Sequence, residues 1–261
     1  MKRLTIILTI LLMLDFTSAY GWGSKGHDVV AAIAEQHLTP KAKRKISKLL
    51  DGKSIVYYSS WMDNIQNSPD WKKGYNKTKT WHYANVDEGY TYQTMPKNES
   101  GDVVTAIYEL VEQLKSRKLS PEQECVALRM LIHLVGDLHC PMHAGHKSDY
   151  GGNTIEVFYF GRASKLHSVW DSSLVESAHN WSYSEWQREI DRQRRAVDKK
   201  MQQGTVEEWF SETVEICDGV YKAMPAGAKL SYDEVAASAP MIEQQLLKGG
   251  LRLAKLLKNI Y

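Results

Sequence analysis

The chain has 261 residues, with 33 lysines and arginines against 31 aspartates and glutamates and a net charge of +2. A balance so near neutral excludes a protein that coats duplex nucleic acid through a broad basic surface, so a polyanionic ligand would have to be gripped locally. The three cysteines are an odd number without Cys-x-x-Cys spacing, which excludes a complete disulfide framework and leaves room for one bridge.

The opening, MKRLTIILTILLMLDFTSAYGWG, joins a basic start at Lys2 and Arg3 to an apolar run from Leu4 to Leu14. That run is too short to span a bilayer. With the small-residue signal Ala19-Tyr20-Gly21 it reads as a secretory leader, residues 1–21, removed to leave a domain of residues 22–261 that is secreted or periplasmic. Helical periodicity begins at residues 26–37. Thr39 caps, and Pro40 opens, a basic amphipathic helix through Leu50. Residues 51–101 are a long irregular connection, and their many Tyr and Trp argue for a functional loop over a disordered one. A third helix covers 102–118. The next is signalled by Ser120 as cap, Pro121 at the first position and Gln123 completing a capping box, and runs to about His139. The stretch NTIEVFYF (153–160) predicts a short strand or hairpin, and 184–203, 205–224 and 232–259 predict helices. The fold class is all-α, a single domain. The charge runs at 41–48 and 188–200 read as solvated faces of amphipathic helices, not as nucleic-acid patches.

The chemistry concentrates in HLVGDLHCPMH, residues 133–143. His133 and Asp137 stand one helical turn apart on a face that the pattern buries. A core histidine or aspartate without a partner costs a few kcal/mol, so something should satisfy them. His143 follows just past Pro141. LHSVWDSSL supplies His167 and Asp171, again four apart; SSWMDN supplies Asp63, TWHYANV supplies His82, and WGSKGH supplies Trp22 and His27. Neutral imidazole and carboxylate suit Zn²⁺, and a carboxylate can bridge two ions. Several ions close together can activate water and hold both oxygens of an in-line displacement at phosphorus.

In order and spacing, WGSKGH, WMD, WHY, HLVGDLHCPMH, GGN at 151–153 and LHSVWD resemble the zinc-dependent single-strand-specific nuclease and 3′-nucleotidase family. The resemblance covers residues 22–171; the rest of the chain matches only as more helix. It implies three Zn²⁺ in a helical fold related in architecture to zinc-dependent phospholipase C. Asp63, His82 and His133 would hold one ion. Asp137 would bridge to a second held by His27 and by the free amine and carbonyl oxygen of Trp22, and His143, His167 and Asp171 would hold the third. A metal-activated hydroxide would hydrolyse single-stranded DNA or RNA to 5′-phosphate products and act on 3′-nucleotides, in a monomer with no stable membrane association. Tyr83 stands where the family stacks a base, and Asn85 or Asp87 where an acidic residue reads it. Gln66 replaces an arginine expected to stabilise phosphate charge, and Cys140 replaces a glutamine. His139 is read as orienting a neighbouring ligand. The alternatives are a zinc-dependent phospholipase C, whose last ligand is typically glutamate where this chain has Asp171, and a non-catalytic zinc-binding secreted protein. Carriers favour His-rich flexible tracts, whereas these ligands are dispersed along the chain.

Overall fold

The structure, a computed structural model, describes residues 22–192 and 195–261. The expected leader, residues 1–21, therefore lies outside the described residues. Among the described residues eleven α-helical segments follow one another: α1 Ser24–Gln36, α2 Pro40–Leu49, α3 Trp61–Asn64, α4 Val103–Ser116, α5 Pro121–Leu138, α6 Leu166–Ser168, α7 Leu174–Ala178, α8 Tyr183–Ile190, α9 Arg195–Met201, α10 Val206–Ala223 and α11 Tyr232–Ile260. The expected all-α domain with a short hairpin is what the chain forms. The hairpin strands β1 Glu156–Tyr159 and β2 Arg162–Lys165 pair antiparallel, Val157 opposite Ser164. A third strand, β3 Lys229–Leu230, adds in parallel on the other side of β1.

The start signals act as read. Thr39 Oγ1 accepts from Ala42 N at 3.1 Å. Ser120 Oγ accepts from Gln123 N at 3.3 Å while Gln123 Oε1 accepts from Ser120 N at 3.0 Å, so both donors at the start of α5 are satisfied reciprocally. In α2, Ala42 and Ile46 are buried and Lys41, Lys43, Arg44 and Lys45 are exposed, as a solvated charged face requires. The helix expected over 184–203 is divided. Asp191 leaves helical geometry, and its carboxylate accepts from His37 Nε2 at 2.9 Å beyond the end of α1, a tertiary contact that periodicity cannot anticipate.

The core lies between α1, α5 and α11, with α4 and α10 closing its sides. Gly250 lets α11 approach α1, since a Cβ there would stand 2.5 Å from Ile33 Cβ. No helix of the described residues is long and apolar enough to cross a membrane.

Candidate metal centre and substrate groove

Six parts of the chain deliver the candidate His and Asp ligands to one place. His27 comes from the second turn of α1, Asp63 from α3, His82 from the end of a 3₁₀ helix (Asn76–His82), and His133 and Asp137 from α5. His143 lies in the 3₁₀ turn Pro141–Ala144 that follows α5. His167 and Asp171 come from the helical run after the hairpin, which widens into a π-helical turn at Val169–Ser173; such turns recur where a helix must aim a functional side chain. The i, i+4 spacing of His167 and Asp171 suits a helix, although the sequence reading placed none over this run. Trp22 is fully buried, and the next residue, Gly23, donates its N–H to Asp171 O at 2.6 Å, tying the start of the domain to this cluster.

Gly136, inside the motif, makes the assembly possible. A Cβ at that position would lie 2.6 Å from His27 Nδ1, so only glycine lets α1 seat its histidine against α5. The glycines of GGN act similarly. Gly151 and Gly152 have φ of +66° and +80°, and a Cβ on Gly151 would stand 2.9 Å from Met142 O. The turn they form aims Gly151 O at His167 Nδ1, which donates to it at 2.6 Å.

All eight His and Asp residues are buried, none more than 6% exposed. Asp137 is the hub. Its Oδ2 lies 2.9 Å from His82 Nδ1 and 3.2 Å from His133 Nε2, while its Oδ1 faces His27 Nε2 at 3.3 Å and His143 Nδ1 at 3.7 Å. Asp63 Oδ1 stands 3.3 Å from His133 Nε2 and 3.7 Å from His82 Nδ1. Asp171 places Oδ2 3.3 Å from His167 Nε2 and Oδ1 3.6 Å from His143 Nε2. Backbone carbonyls orient the rings: His133 Nδ1 donates to Ser59 O at 2.8 Å and His143 Nδ1 to His82 O. Burial opposes charge on these groups. Even so, the carboxylates of Asp137 and Asp63 raise His133 well above the usual imidazole range, and His133 and His143 hold Asp137 well below the usual carboxylate range.

These mutual contacts leave many polar atoms over. His27 Nδ1 and Nε2, Asp63 Oδ1, His82 Nε2, Asp137 Oδ1, His143 Nε2 and His167 Nε2 are buried without a hydrogen-bond partner. Each such atom costs roughly 1–3 kcal/mol if nothing meets it. A donor set of imidazole nitrogens and carboxylate oxygens, inside a dry core and aimed at one another, is what a borderline-soft divalent cation requires. His27, Asp63 and His133 form one group able to hold an ion, and His82, His133 and Asp137 another. A third is Cys140, His143 and Asp171, with Cys140 Sγ donating to Asp171 Oδ1 at 3.2 Å.

One expectation needs correction. His139 orients no ligand: Nδ1 donates to Val135 O at 2.8 Å and Nε2 accepts from Arg252 Nη1 at 3.0 Å, in a network that continues to Glu212. Its partner is distant in sequence, which spacing around the motif could not show. The cysteine count left the disulfide state open; in the structure Cys125, Cys140 and Cys217 are all free thiols.

Above the cluster a cavity of about 360 Å³ opens beside His82, His143 and His167. Gln66, Tyr83 and Asn85, three of the residues singled out in the sequence, line it. A larger cavity of about 840 Å³ adjoins it and shares Tyr83, Asn85 and Tyr150, so the two form a continuous groove. Asp87 lines only the outer part, and its carboxylate is engaged by Ser148, accepting from N at 3.1 Å and Oγ at 3.2 Å. Sequence reading missed Tyr150, which is 71% exposed at φ +56° and lines both cavities. Its position before the two glycines of GGN was the available signal.

A family model described as S1/P1 Nuclease matches residues 22–261. Endonuclease 2 of Arabidopsis thaliana is 30% identical over 287 residues, covering 98% of this chain and 96% of that protein. Nuclease P1 of Penicillium citrinum is 26% identical over 277 residues, covering 92% and 98%. Nuclease S1 of Aspergillus oryzae is 28% identical over 171 residues, covering 61% and 56%. A match that begins at the buried Trp22 and runs to Tyr261, with Endonuclease 2 and Nuclease P1 aligned over nearly their whole lengths, makes the chain a member of the S1/P1 nuclease family, enzymes that hydrolyse phosphodiester bonds of nucleic acid.

Proposed function

We propose that the protein is a zinc-dependent phosphodiesterase that hydrolyses single-stranded DNA or RNA to 5′-phosphate products and also acts on 3′-nucleotides. The observation that carries this reading is the set of orphaned, buried imidazole and carboxylate atoms, since metal ions are the ligands that would satisfy them together. Asp63, His82 and His133 would hold one zinc, His143, His167 and Asp171 another. Asp137 would bridge from the first to a third, completed by His27 and the amine and carbonyl of Trp22. Bound there, zinc supplies Lewis acidity and lowers the pKa of water towards neutrality, the chemistry needed to hydrolyse a phosphodiester without a protein nucleophile.

The chain's own groups do the rest. Ser59 O, His82 O and Gly151 O fix the rings of His133, His143 and His167, leaving each Nε2 to face the centre. Tyr83 and Tyr150 offer aromatic faces on the groove, and stacking there requires an unpaired base, which supports single-strand preference without a basic stripe. Asn85, lining both parts of the groove, presents an amide to a base edge. Gln66 can donate an amide hydrogen bond to a phosphate oxygen but carries no charge. Secretion follows from the leader, whose removal would also create the amine of Trp22.

The test is to give zinc-reconstituted protein a single-stranded oligonucleotide, the same sequence as duplex, and phosphatidylcholine vesicles. The expected result is cleavage of the single strand well ahead of the duplex, with phosphatidylcholine untouched. Preferential hydrolysis of the lipid would replace this reading with that of a phospholipase.

A further inference from the structure

A phosphodiester brings one negative charge to the metal cavity and develops more as it reacts, yet Gln66 offers none to balance it. Apart from the candidate ligands themselves, the cationic side chain lining that cavity is Lys79. We propose that Lys79 is the phosphate-positioning cation of this enzyme, in the role that Gln66 cannot fill; this rests on the reading of the site as a phosphodiesterase.

The local geometry supports it. Lys79 and His82 are three residues apart in the 3₁₀ helix Asn76–His82. In that helix residues i and i+3 eclipse one another, with a rise of about 6 Å between them, so Lys79 stands directly over a candidate metal ligand. A lysine stem is of similar length and can bring its ammonium past the ring of His82 to the mouth of the cavity. The helix is pinned on the sides that do not face the cavity. Thr78 Oγ1 donates to Tyr75 O at 2.7 Å, and Trp81 Nε1 donates to Ser100 O at 2.9 Å. Lys79 is exposed, and no carboxylate among the described residues lines this cavity to compete for it. Lys77 provides the contrast. Two residues earlier, it points to another face and lines a separate cavity with Asp70 and Tyr75. The two lysines have the same charge and the same helix, and only one lines the cavity beside the candidate ligands.

The test compares Lys79→Gln, Lys79→Arg and Lys77→Gln in the zinc-loaded protein. Hydrolysis of a single-stranded oligonucleotide is measured, and so is inhibition by inorganic phosphate, which reports binding apart from turnover. Single electrostatic donors at reacting phosphates and carbonyls are typically worth about 10²–10³ in rate, and an exposed ammonium less, so Lys79→Gln should lose roughly tenfold to a hundredfold in kcat/KM. Its phosphate inhibition constant should rise about tenfold. Lys79→Arg should stay within about threefold of the original, and Lys77→Gln should be unchanged. Adding Gln66→Arg to Lys79→Gln should restore much of the loss, because it returns a cation to the same cavity, a rescue that a merely structural lysine would not allow. If Lys79→Gln matches an active parent in both turnover and phosphate inhibition, or if Lys77→Gln shares its loss, the proposal is overturned while the phosphodiesterase reading stands. A parent protein that leaves single strands intact removes that reading and this proposal with it.

Discussion

Asp137→Asn is the sharpest perturbation of the centre, because it keeps shape and volume and removes only a charge and one acceptor oxygen. The native carboxylate divides its oxygens between two sets of rings: Oδ2 towards His82 and His133, Oδ1 towards His27 and His143. An amide retains a single oxygen, so whichever way it turns, one set of rings meets an NH₂ group that cannot ligate a metal. Even a group that only orients a metal ligand is worth 10–100-fold in affinity, so this is a lower bound for each of two affected sites. Together the loss is about 10²–10⁴, or roughly 3–5.5 kcal/mol at 1.4 kcal/mol per tenfold. In the metal-free protein the cost is smaller, on the order of 1–3 kcal/mol, since one buried hydrogen-bonding pattern is exchanged for another. The assay is titration of zinc into chelated protein against a chromophoric competitor, beside turnover on a single-stranded oligonucleotide. We expect weakened zinc binding, at least a thousandfold loss of turnover and a metal-free melting curve close to the parent's. Unchanged zinc affinity with turnover within about threefold of the parent would refute the bridging role.

Gly136→Ala should displace His27, because the new methyl would stand 2.6 Å from its Nδ1; the expected result is loss of about one zinc per chain in a folded protein, measured by elemental analysis. A form with one extra residue before Trp22 should also bind less zinc than one beginning at Trp22, because an amide nitrogen has no lone pair to offer and an α-amine of pKa near 8 does; equal metal content in the two would remove Trp22 from the ligand set. The hydrogen bond to Asp191 raises the pKa of His37 against the opposing effect of burial, so the stability it adds is fully present below the unfolded pKa near 6.5 and lost as pH rises through the folded value. His37→Gln should therefore cost about 1 kcal/mol near pH 5.5 and much less near pH 9, followed by denaturant unfolding at both.

What could be read in advance was what local spacing controls. The pair His133 and Asp137 and the capping box that starts α5 depend on neighbours a few residues away, whereas the short helical turns that carry Asp63 and His82 lie in a segment expected to be irregular. The resemblance to a known pattern then gathered distant pieces that periodicity alone could not place together. What escaped depends on contacts between distant elements. Arg252 claims His139 from far along the chain. The break at Asp191 answers to His37. Strand β3 is too short to show alternation and forms because β1 has an open edge. Tyr150 and Lys79 become site residues only when a left-handed turn and a 3₁₀ helix bring them to one cavity. Even Gly136, visible within the motif, explains itself only when His27 of α1 is seen against it.

The central claim is that metal ions satisfy the buried imidazole and carboxylate atoms around Asp137. Its most direct test is the zinc stoichiometry of protein beginning at Trp22, purified without added metal, reconstituted with excess zinc, desalted and measured by inductively coupled plasma mass spectrometry. The account predicts close to three zinc ions per chain, as the donor groups allow. One ion or none, in protein shown to be folded, would contradict it.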